Sequence, residues 1–282
     1  MCAVGQVVHT LPEGKTVAGV TSLADGVYVL REKERDQVEV YDVINYRLQR
    51  CLTVPNRWRF HDMTSCEHYR CLYTADDIRD AGIAECVHRL DVGLQGAYTR
   101  WPVNDEPLKL SVTAARNVLV TCWAVRKIKE FSSHGDLLRE LTLPDDVEHP
   151  WHAIQLTSGQ FIVSHGRSPR ALHRVCKISS DGNDIVNSHG GQRSSEADQF
   201  WEPRHLAVDS NEFVFVADLH NQRITLLSPT IDYVRQVELC DKLNGFPSNL
   251  FVDAQRRRLY VSDIDSNYFG QFTSGRVVVC SI

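Results

Sequence analysis

The sequence lacks several features that would assign it to a broad class of protein. Its 31 lysines and arginines are outnumbered by 36 aspartates and glutamates, for a net charge of −5. No overall positive field therefore favours nucleic acid or an anionic membrane. No apolar run approaches the roughly 18–20 residues needed to cross a bilayer, and the first residues lack the pattern of a secretory signal. We expect no membrane partner.

Disulfide and catalytic signatures are also absent. The nine cysteines include no C-x-x-C pair, and there is no N-x-S/T sequon. Most cysteines lie in or beside apolar strand-like runs, which is typical of buried, reduced thiols and predicts a cytoplasmic protein. The chain has no P-loop, G-x-G-x-x-G or G-x-S-x-G motif. Local motifs therefore indicate no enzyme class.

What the chain does contain is an internal repeat. The segments VYVL, LYTAD, LVTCW, FIVSH, VFVAD and LYVSD follow one another at intervals of 45, 47, 42, 53 and 45 residues. No window shows a 3.6-residue apolar period, so almost no helix is predicted. The second residue of each segment marks its repeat: Tyr28, Tyr73, Val120, Ile162, Phe215 and Tyr260.

Each repeat predicts four antiparallel strands, the first of them 9–11 residues before the marker. The sixth repeat ends after its third strand, whereas residues 6–12, QVVHTLP, resemble the fourth strands QRCLTVP and LRELTLP. We predict one all-β domain, a six-bladed β-propeller of four-stranded antiparallel blades whose N-terminal strand closes the last blade. The predicted blades span approximately residues 13–56, 57–104, 105–145, 146–192, 200–241 and 245–282, with 3–12 completing the sixth.

The fifth repeat resembles an NHL repeat. Its sequence, PRHLAVDSNEFVFVADLHNQRITLLSP, has a first strand ending in Val-Asp, a Phe-Val-Ala-Asp strand and an Asn-x-Arg-Ile step at Asn221, Arg223 and Ile224. The sixth repeat keeps the first two strands and lacks the Asn-x-Arg step. The resemblance implies a six-bladed interaction platform, which in some members binds single-stranded RNA. Related six-bladed propellers include amidating lyases, lactonases and strictosidine-synthase-like enzymes, so the fold leaves the function open.

The first strands predict a polar ring at one mouth of the central channel. Second strands end at the same mouth because successive strands are antiparallel. The second strands are predicted to end at Arg31, Asp76, Trp123, His165, Asp218 and Asp263. The first strands are predicted to start at Ala18, Asp62 with His61 beside it, Lys109, His152, His205 and Asn249.

Histidines in this ring suggest a metal site. His61, His152 and His205 are the candidate ligands, since imidazoles from different blades can converge on one Zn²⁺. Zn²⁺ suits these positions better than Ca²⁺, for which only Asn249 and Asp62 offer oxygen ligands. Such a metal would activate water or polarise a carbonyl. The candidate catalytic residues of an enzyme are His152, His205, Lys109 and Asp62.

The alternative is structural, because polar side chains at a channel mouth also suit a ring of internal hydrogen bonds. In that case the carboxylates at the second-strand ends hold the turns that follow. His61 is moreover one residue out of register with His152 and His205. The sequence alone leaves both interpretations open.

The main functional prediction is a binding module for a protein partner at the channel face. Single-stranded RNA is a weaker prediction because the chain is acidic overall, although aromatic and basic residues near the mouth suit stacking and phosphate contacts. A small-molecule enzyme, either a metal-dependent lyase or hydrolase or a metal-free one, is the alternative. The candidate binding residues are Trp123, Trp151, Arg204, Asn249, Arg31 and Asp263.

Overall fold

The computed structural model describes residues 6–31, 37–54, 60–76, 85–93, 98–239, 243–266 and 272–282. Within these ranges the chain forms strands, turns and bends and contains no helix. No helix capable of spanning a membrane is found among the described residues. The absence of helix confirms the prediction from the missing 3.6-residue period.

The strands form six antiparallel sheets of four strands each. Strand β1, Val7–Thr10, belongs to the sixth blade. In the first three blades the strands are β2 Val17–Leu23, β3 Gly26–Arg31, β4 Gln37–Tyr41, β5 Leu48–Thr53, β6 Phe60–Cys66, β7 Cys71–Asp76, β8 Cys86–Asp91, β9 Tyr98–Pro102, β10 Pro107–Val112, β11 Val118–Cys122, β12 Lys127–Phe131 and β13 Leu137–Thr142. In the last three they are β14 Pro150–Gln155, β15 Phe161–His165, β16 His173–Ile178, β17 Ile185–Gly191, β18 Pro203–Val208, β19 Val214–Asp218, β20 Arg223–Leu227, β21 Tyr233–Val237, β22 Phe246–Asp253, β23 Arg258–Ser266 and β24 Phe272–Ser281.

The N-terminal strand closes the ring, as predicted. The sixth sheet has the order β1-β24-β23-β22, so β1 supplies its fourth strand. Val7 pairs with Cys280 and His9 with Val279, and a further backbone hydrogen bond joins the N–H of Leu11 to the carbonyl of Val277. Closure in this way pairs β24 on both of its edges.

Apolar side chains of the second strands pack between neighbouring blades. Tyr28, Tyr73 and Tyr260, three of the repeat markers, are fully buried. In one interblade cluster Tyr73 and Trp101 of the second blade pack with side chains of the third. Burial on both faces explains why these strands read as continuous apolar runs in the sequence.

Every innermost strand has a bulge near its start. In the fourth blade Pro150 pairs with His165 and His152 with Ser164, so Trp151 is one extra residue on the first strand. The same shift occurs in all six blades. The bulge residues are Ala18, His61, Leu108, Trp151, Arg204 and Ser248. The residues directly after the bulges are Gly19, Asp62, Lys109, His152, His205 and Asn249.

Candidate functional site

The residues after the bulges form the polar ring of the channel. Five of the six predicted positions are equivalent in the structure, from Asp62 through Asn249. In the first blade the equivalent residue is Gly19, while Ala18 is the bulge residue. His61 is likewise a bulge residue, which explains why it is one residue out of register. The bulge residues and the residues directly after the bulges therefore have different surroundings.

Lys109 crosses the channel. Its Nζ donates to Asn249 Oδ1 of the sixth blade at 2.6 Å. The same ammonium donates to the carbonyl oxygen of His61 at 2.9 Å and lies 3.3 Å from Asp62 Oδ1, both on the second blade. The side chain is 8% exposed. Lys109 thus joins opposite sides of the ring.

Asp62 connects the second blade to the third and the fifth. Its Oδ2 accepts the N–H of Leu110 at 2.7 Å, and its Oδ1 lies 3.5 Å from His205 Nε2. Burial alone would raise the pKa of this carboxyl. The Lys109 ammonium and the His205 contact outweigh burial and hold the pKa of Asp62 well below its usual range. The carboxylate is therefore ionised at neutral pH.

The two histidines connect further blades. His152 Nδ1 accepts the N–H of Leu206 at 3.1 Å, so its Nε2 carries the proton that is donated to the Leu110 carbonyl at 3.1 Å. His205 Nδ1 lies 3.1 Å from the carbonyl oxygen of Leu206 and 3.3 Å from the backbone nitrogen of Leu250. The two rings contact each other with centroids 4.0 Å apart and planes tilted by 32°.

Both imidazoles are neutral. Burial, followed by the neighbouring His205, lowers the pKa of His152 well below its ordinary value. Burial also lowers the pKa of His205, although Asp62 partly opposes this effect. For His152 the neutral state agrees with its hydrogen bonds, since Nδ1 acts as an acceptor.

These hydrogen bonds bear directly on metal binding. One potential ligand atom each from Asp62, His152 and His205 lies within 4.8 Å of the others, and His61 is outside this group. However, both nitrogens of His152 and both oxygens of Asp62 already contact protein groups. A metal ion at His152 would have to displace one of its two interblade hydrogen bonds, so this imidazole is a poor ligand as it is held here.

A cavity of about 660 Å³ opens above the ring. All six bulge residues line it, and Lys109 and Asn249 reach it from the ring. Two further acidic side chains, Glu85 and Glu106, also lie on its wall. In each blade the bulge thus places one residue on the cavity wall and the next residue at a ring position.

The wall formed by the third, fourth and fifth blades carries alternating tryptophans and arginines. The Arg167 guanidinium carbon lies 5.1 Å from the Trp123 ring centroid and 5.9 Å from that of Trp151. The Arg204 guanidinium lies 4.6 Å from the Trp151 ring centroid. These are cation–π distances. We call Trp123, Arg167, Trp151 and Arg204 the Trp–Arg wall.

Two predicted binding residues lie outside the cavity lining. The buried guanidinium of Arg31 donates to the carbonyl oxygens of Lys15 and Gly275 and pairs with Glu39. Asp263 accepts backbone N–H groups before the sixth blade and pairs with Arg276. Both side chains hold segments that enter or close a blade.

The Asn-x-Arg step of the fifth blade also holds a loop. Asp218 accepts hydrogen bonds from the backbone N–H of Trp201 and from the side chains of Asn221 and Arg223. Arg223 also donates to the carbonyl oxygen of Glu196 at 2.7 Å. Burial raises the pKa of Asp218 to about 6 against these contacts. The motif thus fixes the loop that precedes the blade.

Arg167 is the main wall residue that the sequence prediction missed. It lies two positions after His165, where β15 ends, in a loop rather than in a strand. Extending the count of mouth positions past each strand end would have included it. Glu85 and Glu106 also lie outside strands, directly before β8 and β10.

The fold identifies the chain as a six-bladed β-propeller. No protein-family model matches it, and no curated protein is a significant relative. Among solved structures, it is similar to the PQQ-bound aldose sugar dehydrogenase of Streptomyces coelicolor, with a TM-score of 0.65 and 10% identity over 97% of both chains. Virginiamycin B lyase of Staphylococcus aureus has a TM-score of 0.62 and 9% identity over 96% of this chain and 98% of that one.

The third comparison is with the Cps50 (Swd1) β-propeller domain of Myceliophteria thermophila. Its TM-score is 0.61, at 11% identity over 98% of this chain and 99% of that one. At such low identities these likenesses establish the fold only. Function has to be argued from the site itself.

Proposed function

We propose that this chain is an NHL-type propeller that acts as a binding module and receives a segment of a protein partner in the mouth cavity. The observation that carries the proposal is the Trp–Arg wall above a ring whose polar groups bind one another. Lys109 spans the ring and donates to oxygens of the second and the sixth blade. A ligand is thus recognised by the wall.

The composition of the wall suits protein recognition. Tryptophan and arginine are the residues most enriched where binding energy concentrates in protein interfaces. Trp123 is partly exposed and Arg167 is exposed, so both are reachable from solvent. A cavity of about 660 Å³ has the size of sites that enclose a short chain segment or a small molecule. RNA is less well supported because Glu85 and Glu106 line the same cavity.

Selection from a random 12-residue peptide display library tests this function. We expect the folded protein to enrich peptides whose affinity falls at least tenfold in Trp123→Ala, in line with loss of an interface anchor. Trp201→Ala is the matched control, since Trp201 is exposed and lies outside the cavity lining. No enrichment over an uncoated surface, or equal losses in the two variants, would contradict the proposal.

An enzyme with a divalent metal is the second candidate, favoured by the closeness of Asp62, His152 and His205. Elemental analysis of the purified protein decides it. Stoichiometric zinc, retained after dialysis and lost in His152→Ala/His205→Ala, would establish the site. Wild-type protein that carries no metal after growth and purification with added zinc would rule it out. The occupied nitrogens of His152 lead us to expect the second result.

A further inference from the structure

The charges on the Trp–Arg wall are unequally compensated. Arg204 forms an ion pair with Glu202 at 2.8 Å, and Glu202 also contacts His220 at 3.0 Å. Arg167, by contrast, has no ion-pair or hydrogen-bond partner within the part of the chain that the structure describes. Its polar contacts are confined to the faces of Trp123 and Trp151. One exposed positive charge is therefore left over at this wall.

The two tryptophans orient this charge. The N–H groups of a guanidinium lie in its own plane and point outward from its edge. A guanidinium packed against aromatic faces can therefore still donate these groups to a planar acceptor. Trp151 is itself fixed, because its Nε1 donates to the carbonyl oxygen of Gly166 and Arg204 stacks on its ring. Such positioning before binding lowers the entropic cost of forming a two-pronged contact.

We infer that the partner segment presents an aspartate or glutamate carboxylate to Arg167, with apolar atoms of the same segment against Trp123 and Trp151. This inference rests on the proposed function and specifies the chemistry of its ligand. The carboxylate would supply the two acceptor oxygens that the guanidinium edge can bind in parallel.

Two carboxylates in the cavity lining limit the ligand further. Glu85 and Glu106 line the same cavity, and neither carboxylate favours a nearby anion. A continuous polyanion such as RNA would place phosphates near these carboxylates as well as near Arg167. A single acidic side chain within an otherwise neutral segment would approach Arg167 and avoid the glutamates. The cavity therefore favours an isolated carboxylate over a phosphate chain.

The test starts from the peptides enriched in the display selection. We expect these peptides to share an aspartate or glutamate, and replacement of that residue by asparagine or glutamine to weaken binding at least tenfold. Arg167→Gln should cause a similar loss for the acidic peptide and almost none for its amide counterpart. Arg167→Lys should recover only part of the affinity, since lysine lacks the planar fork.

Arg170→Gln is the matched control. Arg170 is exposed in the same loop, and it does not line the cavity. Its replacement should leave binding unchanged. Quenching of tryptophan fluorescence by the synthetic peptide gives an independent measure of binding at the wall.

Three results would overturn the inference. The first is that the enriched peptides share no acidic residue or bind equally well to Arg167→Gln. This result would leave the proposed binding function intact. The second is that the protein retains a random single-stranded RNA pool in an Arg167-dependent manner but retains no peptide. The third is no enrichment of any kind, which also removes the proposed function.

Discussion

At the scale of single residues, the ring shows how a buried charge is made tolerable. Lys109 and Asp62 are both largely buried, and each is surrounded by polar groups from other blades. Burying two charges costs several kcal/mol, which is recovered only when their remaining hydrogen-bonding capacity is used. The ring is therefore sensitive to loss of either partner.

Lys109→Met tests this sensitivity. We expect the free energy of unfolding to fall by about 3–5 kcal/mol, because the substitution leaves the buried Asp62 carboxylate without its cation. Urea unfolding measures the change. Adding Asp62→Asn to the variant should restore part of the loss, since no unpaired charge then remains.

Lys127→Met is the control for this prediction. Lys127 pairs with Glu140 at 2.6 Å, but its side chain is 29% exposed. Its replacement should cost far less than that of Lys109, as for other solvent-screened pairs. Similar losses in the two single variants would mean that the ring gives Lys109 no special importance.

At the scale of strands, the bulge decides which side chain enters the ring and which faces the cavity. The sequence predicted the strands themselves well, because apolar runs such as those around Tyr73 and Tyr260 recur at a nearly constant interval. It did not predict the bulges, since one extra residue leaves no periodic trace. As a result, Ala18 was predicted in place of the equivalent Gly19, and the bulge residue His61 was predicted as a metal ligand together with His152 and His205.

Contacts across the channel could not be predicted from the sequence, for a different reason. Lys109 and Asn249 are separated by 140 positions, and no local pattern relates them. The ring positions could be counted from the repeat, but the pairing of their hydrogen bonds depends on side-chain reach in three dimensions. Arg167 was missed because it lies in a loop, to which strand periodicity does not apply.

Gly19 permits the close approach of the first two inner strands. A Cβ atom at this position would lie 2.6 Å from the backbone nitrogen of Met63. Gly19→Ala should therefore push the strands apart and lower the free energy of unfolding by about 1–3 kcal/mol, as overpacking does elsewhere. Thermal and urea unfolding would both report the loss.

Gly93→Ala provides the comparison, because a Cβ atom there would meet no heavy atom within 4 Å. Its effect should stay within about 0.5 kcal/mol. If Gly19→Ala were equally harmless, the inner strands would be able to separate without cost and the close approach would not constrain the ring.

At the scale of the whole molecule, the propeller depends on joining its two ends without a covalent bond. Strand β1 pairs with β24, and a backbone bridge joins Gly14 to Gly275 just beyond the strand. Arg31, from the first blade, reinforces this junction by donating to carbonyl oxygens on both sides of it. A residue predicted to bind a ligand is thus placed where it ties the ring closed.

Arg31→Met should open this junction before the rest of the molecule. The substitution leaves the carbonyl oxygens of Pro12, Lys15 and Gly275 without their donor, at a cost of about 2–4 kcal/mol if each loss is only partly compensated by water. Hydrogen exchange should therefore accelerate first in β1 and β24, including the N–H of Leu11 that binds Val277, while β14 stays protected. Arg50→Met, which removes a half-exposed guanidinium 3.9 Å from Asp25, should change neither strand. Uniform acceleration across all blades would instead show that the ring opens as one cooperative unit, with no separate junction for Arg31 to hold.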